Sequence, residues 1–178
     1  MRLLIMALVC GGLMVSCDRY AKHYSAEEIA ENSKKVNAFL DRRFDESVAR
    51  NPEFASNLGL KTGYDSWSER TDSAYFAELA FSRETLDSLK QFDIKGLDEQ
   101  TKLSIRLYEE SVKLSKEDSA WRKHYYSITQ MGGEHNDIPS FLINIHRIDS
   151  LSDARAYLSR LSKIEHVFSQ VIAQLKSR

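Results

Sequence analysis

The densest cluster of groups able to do chemistry is Gln130-Met131-Gly132-Gly133-Glu134-His135-Asn136-Asp137. Carboxylates and imidazoles can ligate a metal or move a proton. The spacing, however, does not build a metal site here. Two ligands on one helical face sit four residues apart, and no two histidines have that spacing; His135 and His146 are separated by Pro139 and fall out of register. The reading from the residues alone is that Gly132 and Gly133 fix a turn and His135 makes an ordinary hydrogen bond. No phosphate loop is present, because Gly132-Gly133 lacks the following Gly-Lys-Ser/Thr, and no Gly-x-Ser-x-Gly elbow occurs among the many serines. Glu109-Glu110 and Asp45-Glu46 read as solvated faces, since adjacent helical residues point apart. His124 reads as structural and His166 as a partly buried core residue. The sequence therefore gives no catalytic residue and no metal ligand.

Residues 1–16 read as a signal peptide. Arg2 precedes an apolar run from Leu3 to Val15. That run suits an export signal and is short of the roughly 20 residues a membrane span needs. The run ends in Leu13-Met14-Val15-Ser16-Cys17, which looks like a bacterial lipobox. The expectation is lipidation of Cys17, residues 17–24 as a tether, and a lipoprotein held on a membrane in the cell envelope, facing the periplasm or the exterior. The alternative is a simple cleaved signal with a chance cysteine. The chain has two cysteines, Cys10 and Cys17. Both are consumed on this reading, so the folded part has neither disulfide nor thiol nucleophile. Lys and Arg number 25 against 26 Asp and Glu. With no basic excess to meet a phosphate backbone, nucleic acid is excluded as an expected partner.

The elements that must position these groups are helices. The chain has 7 Gly, 2 Pro and 29% charged residues, a composition that favours helices with solvated faces. The fold class expected is all-α, a multi-helix array with long amphipathic helices and one irregular Gly-Gly loop, over residues 25–178. Ser25 with Glu28 forms a capping box opening a helix with Val36, Phe39, Leu40, Phe44 and Val48 on one stripe. Asn51-Pro52 restarts the chain in a short helix stopped by Gly59. Residues 59–70 form a loop. A second long helix starts at Thr71 or Asp72, with Phe76, Leu79, Arg83, Leu86 and Leu89 in period. Asp98 caps a third, bearing Leu103, Leu107, Tyr108 and Leu114. Trp121 to Asp137 lacks helical period and reads as an irregular loop, with a short strand at Tyr125 to Thr129. Asp137 and Pro139 open a short helix. Ser150 or Ser152 caps one final helix with a stripe from Ala154 through Tyr157, Leu158, Leu161, Ile164, Phe168, Val171 and Ile172 to Leu175. That helix meets Arg178 with no stop signal. The expectation is a domain cut in mid-pattern, a frayed C-terminal helix being the alternative.

Phe39 to Phe44, Asn51-Pro52-Glu53-Phe54-Ala55, Leu58-Gly59, Tyr64-Asp65, Leu97 to Tyr108, Gln130-Met131-Gly132-Gly133 with His135, and Ala156 to Leu161 occur in an order that resembles the bacterial domain-of-unknown-function 885 family. The resemblance covers roughly residues 35 to 178. It implies a mostly helical, zinc-peptidase-like fold, with peptides as substrates and a His-Glu-x-x-His motif in a C-terminal half. There, two imidazoles and a carboxylate would hold Zn²⁺ and the motif Glu would act as general base. This chain contains no His-Glu-x-x-His; Glu134-His135 has the reverse order. The metal is thus implied only for a C-terminal half outside this chain. What transfers is a cleft-lining role for Gln130, Gly132, Gly133 and His135. The expectation is an N-terminal helical part, inactive alone and partnered by a catalytic half. The alternative is a complete non-catalytic envelope lipoprotein acting as a helical binding or scaffold module.

Overall fold

The computed structural model describes residues 22–178. The signal segment 1–16, Cys17 and most of the tether lie outside the described residues. The described chain is all-α with one minimal hairpin. Its helices are α1 (Ala26–Arg50), α2 (Pro52–Asn57), α3 (Asp72–Leu89), α4 (Glu99–Asp118), α5 (Glu134–Asn144), α6 (Leu151–Ser162) and α7 (Ile164–Lys176). Strands β1 (Ile128–Thr129) and β2 (Gly132–Gly133) pair antiparallel. Among the described residues no helix is long and apolar enough to cross a membrane.

Local chemistry sets the helix starts. Ser25 accepts the Glu28 N–H while the Glu28 carboxylate accepts the Ser25 N–H, so two otherwise unpaired donors are satisfied at once. Asn51 caps α2 with Pro52 in its first turn, Thr71 caps α3, Asp98 caps α4 and Ser150 caps α6. Gly59, with φ of 77°, ends the α2 segment in the left-handed region that favours glycine.

Two apolar clusters form the interior. Val36, Leu89, Leu97 and Ile105 join α1, α3 and α4, with Phe39, Leu40, Phe92 and Tyr108 packed around them. Ile138, Phe141, Leu142, Val167 and Val171 join α5 and α7, with Trp67, Ile128, Tyr157, Ile164 and Phe168 against them. The segment 58–71 joins α2 to α3, packs Trp67 against the second cluster and carries the contacts described below.

Five expectations need correction. The final helix is two helices, broken at Lys163. The Trp67 indole N–H donates to the Arg160 carbonyl at 2.9 Å, and the Lys163 N–H is shared between the Ser159 and Arg160 carbonyls. A carbonyl engaged by a side chain from another segment marks where the helix yields. In α4 the buried side is Thr101, Ile105 and Val112, whereas Leu103, Leu107 and Leu114 are exposed. Both sets keep helical period, and packing on α3 selects one. Helix α5 starts at Glu134 rather than Asp137, because the hairpin delivers the chain directly into it; the Glu134 N–H donates to the Ser127 carbonyl. The strand before it is only Ile128–Thr129. His166 is not a core residue: it is exposed on α7, 3.7 Å from the Glu69 carboxylate.

Candidate functional site

The described part of the chain centres on Arg160, whose side chain is fully buried. It enters from α6 and its donors are spent on the α2 region, the 58–71 segment and one imidazole. Nε donates to the Ser66 carbonyl at 2.9 Å and Nη1 to His146 Nδ1 at 3.0 Å. Nη2 donates to Ser56 Oγ at 3.1 Å and to the Pro52 and Gly63 carbonyls at 3.3 and 3.4 Å. The guanidinium also lies 4.8 Å from the Phe141 ring centroid, 5.2 Å from Tyr64 and 5.4 Å from Trp67. No carboxylate touches it. A buried cation is thus solvated by neutral acceptors and aromatic faces. Burial accordingly holds its pKa below the ordinary arginine value, and the more distant Glu53 charge only partly opposes this.

His146 completes this centre. It stacks on Tyr64 with ring centroids 4.1 Å apart and meets Tyr157 edge-on. Because Nδ1 accepts from Arg160, the ring proton sits on Nε2, which donates to the Asp153 carbonyl at 3.2 Å. Burial lowers the His146 pKa, and the Arg160 charge adds to this against the opposing Asp153 contact. The Tyr64 hydroxyl donates to the Arg147 carbonyl and accepts the Arg147 N–H, fixing the segment after α5. The buried Asp153 carboxylate takes Lys61 Nζ at 2.8 Å. With Ser150 and the Asp149 N–H, that contact lowers its pKa to about 2.

A second polar centre reaches the hairpin. Arg70 Nε donates to Glu134 at 2.6 Å, Nη2 to Glu53 at 2.9 Å and Nη1 to the Ser68 carbonyl at 2.8 Å. Burial alone would raise the Glu53 carboxyl; the Ser68 hydroxyl and Arg70 outweigh it and leave it below the ordinary value. Arg70 feels the opposite balance, burial lowering it and the Glu134 and Glu53 contacts raising it above its ordinary value. The backbone of Arg70 is tied to α7 by Gln170 and Gln174.

The hairpin residues separate in role. Gly133 has φ of 128°, and a Cβ there would stand 2.2 Å from the Ser127 carbonyl oxygen. Gly132 meets nothing within 4 Å. Gln130 and His135 are exposed. A depression of about 710 Å³ is bordered by Tyr126, Thr129, Met131, Gly132, Gly133 and Glu134 among others. Gly132 and Gly133 border it; Gln130 and His135 are not among its lining residues. Sequence reasoning missed Arg160, Arg70 and Glu53. The signal available was the polar interruption at Arg160 inside an otherwise apolar stripe.

Among the described residues no three His, Cys, Asp or Glu side chains are placed to hold a metal ion. The donors that come nearest are engaged elsewhere: Glu53 and Glu134 on Arg70, and both nitrogens of His146 in hydrogen bonds. The described residues do not fit a zinc centre, and no zinc chemistry is assigned to them.

Fold and site thus define an all-helical protein in which buried Arg160 and half-buried Arg70 pin the irregular segment 58–71. The family model for bacterial proteins of unknown function, DUF885, matches residues 52–178, and the chain belongs to that family. No curated protein matches it.

Proposed function

We propose that this chain is the N-terminal helical part of a membrane-anchored, zinc-peptidase-like envelope lipoprotein. It supplies scaffold and one wall of a peptide cleft, with no catalytic group of its own. On this reading Gly132 and Gly133 border that cleft directly, exposed Gln130 and His135 stand beside them at its rim, and Cys17 carries the lipid. The observation supporting the reading is unpartnered apolar surface at helical spacing. Leu103, Leu107 and Leu114 on α4, Leu151, Leu158 and Leu161 on α6, and Ile172 on α7 are all exposed. Exposed apolar residues repeated along one helix suit a further protein surface. The zinc and its general base belong, on this reading, to a C-terminal half, by family analogy.

The test is the intact mass of the native protein extracted from membranes. A mass several times that of the chain, on a lipidated N-terminus, is the expected result. A mass matching Cys17 to Arg178 plus lipid would overturn it. His135→Ala in an active full-length homologue tests the cleft: unchanged kcat/KM with normal folding removes His135 from it.

A second reading is a non-catalytic helical binding or scaffold lipoprotein. It is favoured by the nearly complete pairing of buried polar side chains around Arg160 and Arg70, which a self-sufficient domain requires.

A further inference from the structure

We propose that the Arg160–His146 contact is an acid-sensitive latch that holds the 58–71 segment, and through Arg70 the Gly-Gly hairpin, in place. The hydrogen bond exists only while Nδ1 carries a lone pair. Adding a proton there turns an acceptor into a donor facing a donor 3.0 Å away, and places a second cation beside a buried guanidinium. Nε2 offers no escape, because it already donates to the Asp153 carbonyl. The ring is covered on one face by Tyr64 and met edge-on by Tyr157, so water cannot freely replace the lost contact.

The groups facing this pair do not neutralise the added charge. From α6 come Arg160 itself and Asp153, whose carboxylate is committed to Lys61 and the Asp149 N–H while only its carbonyl faces the ring. The 58–71 segment brings Lys61, another cation, and Tyr64; its Asp65 is exposed and lies 3.7 Å from Lys163. Arg147 and Asp149 follow α5, the latter 3.8 Å from Lys61. Glu53 on α2 acts on Arg160 from a distance and is held by Arg70 and Ser68.

The consequence runs along the chain. Arg160 grips Gly63 and Ser66, and four residues on, Arg70 grips Glu134 at the start of α5. Loosening Arg160 removes the anchors at Gly63 and Ser66 from the segment that aims Arg70, leaving Arg70 held by Glu53, Ser68 and the two α7 glutamines. The direction of titration follows from burial. His146 is held below its ordinary value. The unfolded chain therefore takes up the proton first, and stability falls as pH drops below about 6.5. The unfolding constant rises by at most about tenfold per pH unit while this one group titrates.

The experiment measures urea unfolding midpoints of the full chain from pH 7.5 to 5, with amide exchange of residues 62–70 at each pH. The comparison variant is His146→Asn, whose amide oxygen can accept from Arg160 but takes no proton. The wild type should lose stability and exchange protection across this range, and the variant should show a flat profile. Equal pH slopes in the two proteins overturn the latch. Should the variant fail to fold, an NMR titration of the His146 ring in the wild type decides: a pKa at or above about 6.5 overturns the proposal, and a depressed one with coincident Ser66 and Arg70 shifts supports it.

Discussion

Replacing Arg160 by Met keeps the aliphatic stem against Trp67 and Phe141 and deletes every donor. Five acceptors lose the guanidinium, but they do not suffer equally. The Pro52 carbonyl still accepts the Ser56 hydroxyl, and the Gly63 carbonyl still accepts the Ser66 N–H. Ser56 Oγ remains a donor to Pro52. The two left without a partner are the Ser66 carbonyl and His146 Nδ1. An orphaned buried acceptor costs about 1–3 kcal/mol, so the pair costs about 2–6 kcal/mol. Removing a desolvated charge returns part of this, while losing its aromatic contacts adds to the cost. The expected loss is about 3–5 kcal/mol, a large share of a domain's usual 5–15 kcal/mol. Urea denaturation at pH 7.5, analysed by midpoint at unchanged slope, measures it. The double variant with His146→Phe should cost less than the sum of the singles, because the second change removes the orphaned nitrogen. A loss for Arg160→Met under about 1 kcal/mol would falsify the view that the cation organises this centre.

Gly133→Ala should cost more than about 2 kcal/mol, because its positive φ is strained for alanine and the new Cβ meets backbone; Gly132→Ala should cost under about 1 kcal/mol, and thermal melts of both variants check the contrast. Glu134→Gln leaves Arg70 with one full ionic partner of two; a loss of about 1–2 kcal/mol in the same assay is expected from a charged hydrogen bond, with faster amide exchange at the start of α5. Asp153 has a folded pKa of about 2. The native state thus holds its charged form, and the stability it contributes is present above about pH 4 and is lost as pH falls towards 2. Lys61→Met should shrink that acid-induced loss, and a two-variant acid titration followed by circular dichroism measures it. Exposed Leu107→Glu with Leu158→Glu should leave the melting midpoint nearly unchanged while lowering self-association of the chain in light scattering, since neither side chain is in a core.

Helix existence and most helix starts were written locally. Ser25 with Glu28, Asn51-Pro52, Thr71, Asp98 and Ser150 each act through hydrogen bonds within three residues, and Gly59 needs only its own backbone freedom. Such signals are legible because cause and effect are neighbours in the chain. The all-α class follows from the same local rules, but the turn expected at Gly132-Gly133 falls at Gln130-Met131, and the two glycines pair as β2 instead.

What the sequence could not decide is which of two equally periodic faces is buried. Leu103, Leu107 and Leu114 repeat as well as Thr101, Ile105 and Val112, and the more apolar set is the exposed one. The break at Lys163 depends on the Trp67 indole, 93 residues from the carbonyl it engages. Arg160 looks like a polar interruption in a stripe until Ser66, Ser56 and His146 are brought around it. A helical period fixes which residues share a face. The neighbour that covers a face, and the acceptors that let a charge go inside, come from segments distant in sequence, and only tertiary packing brings them together.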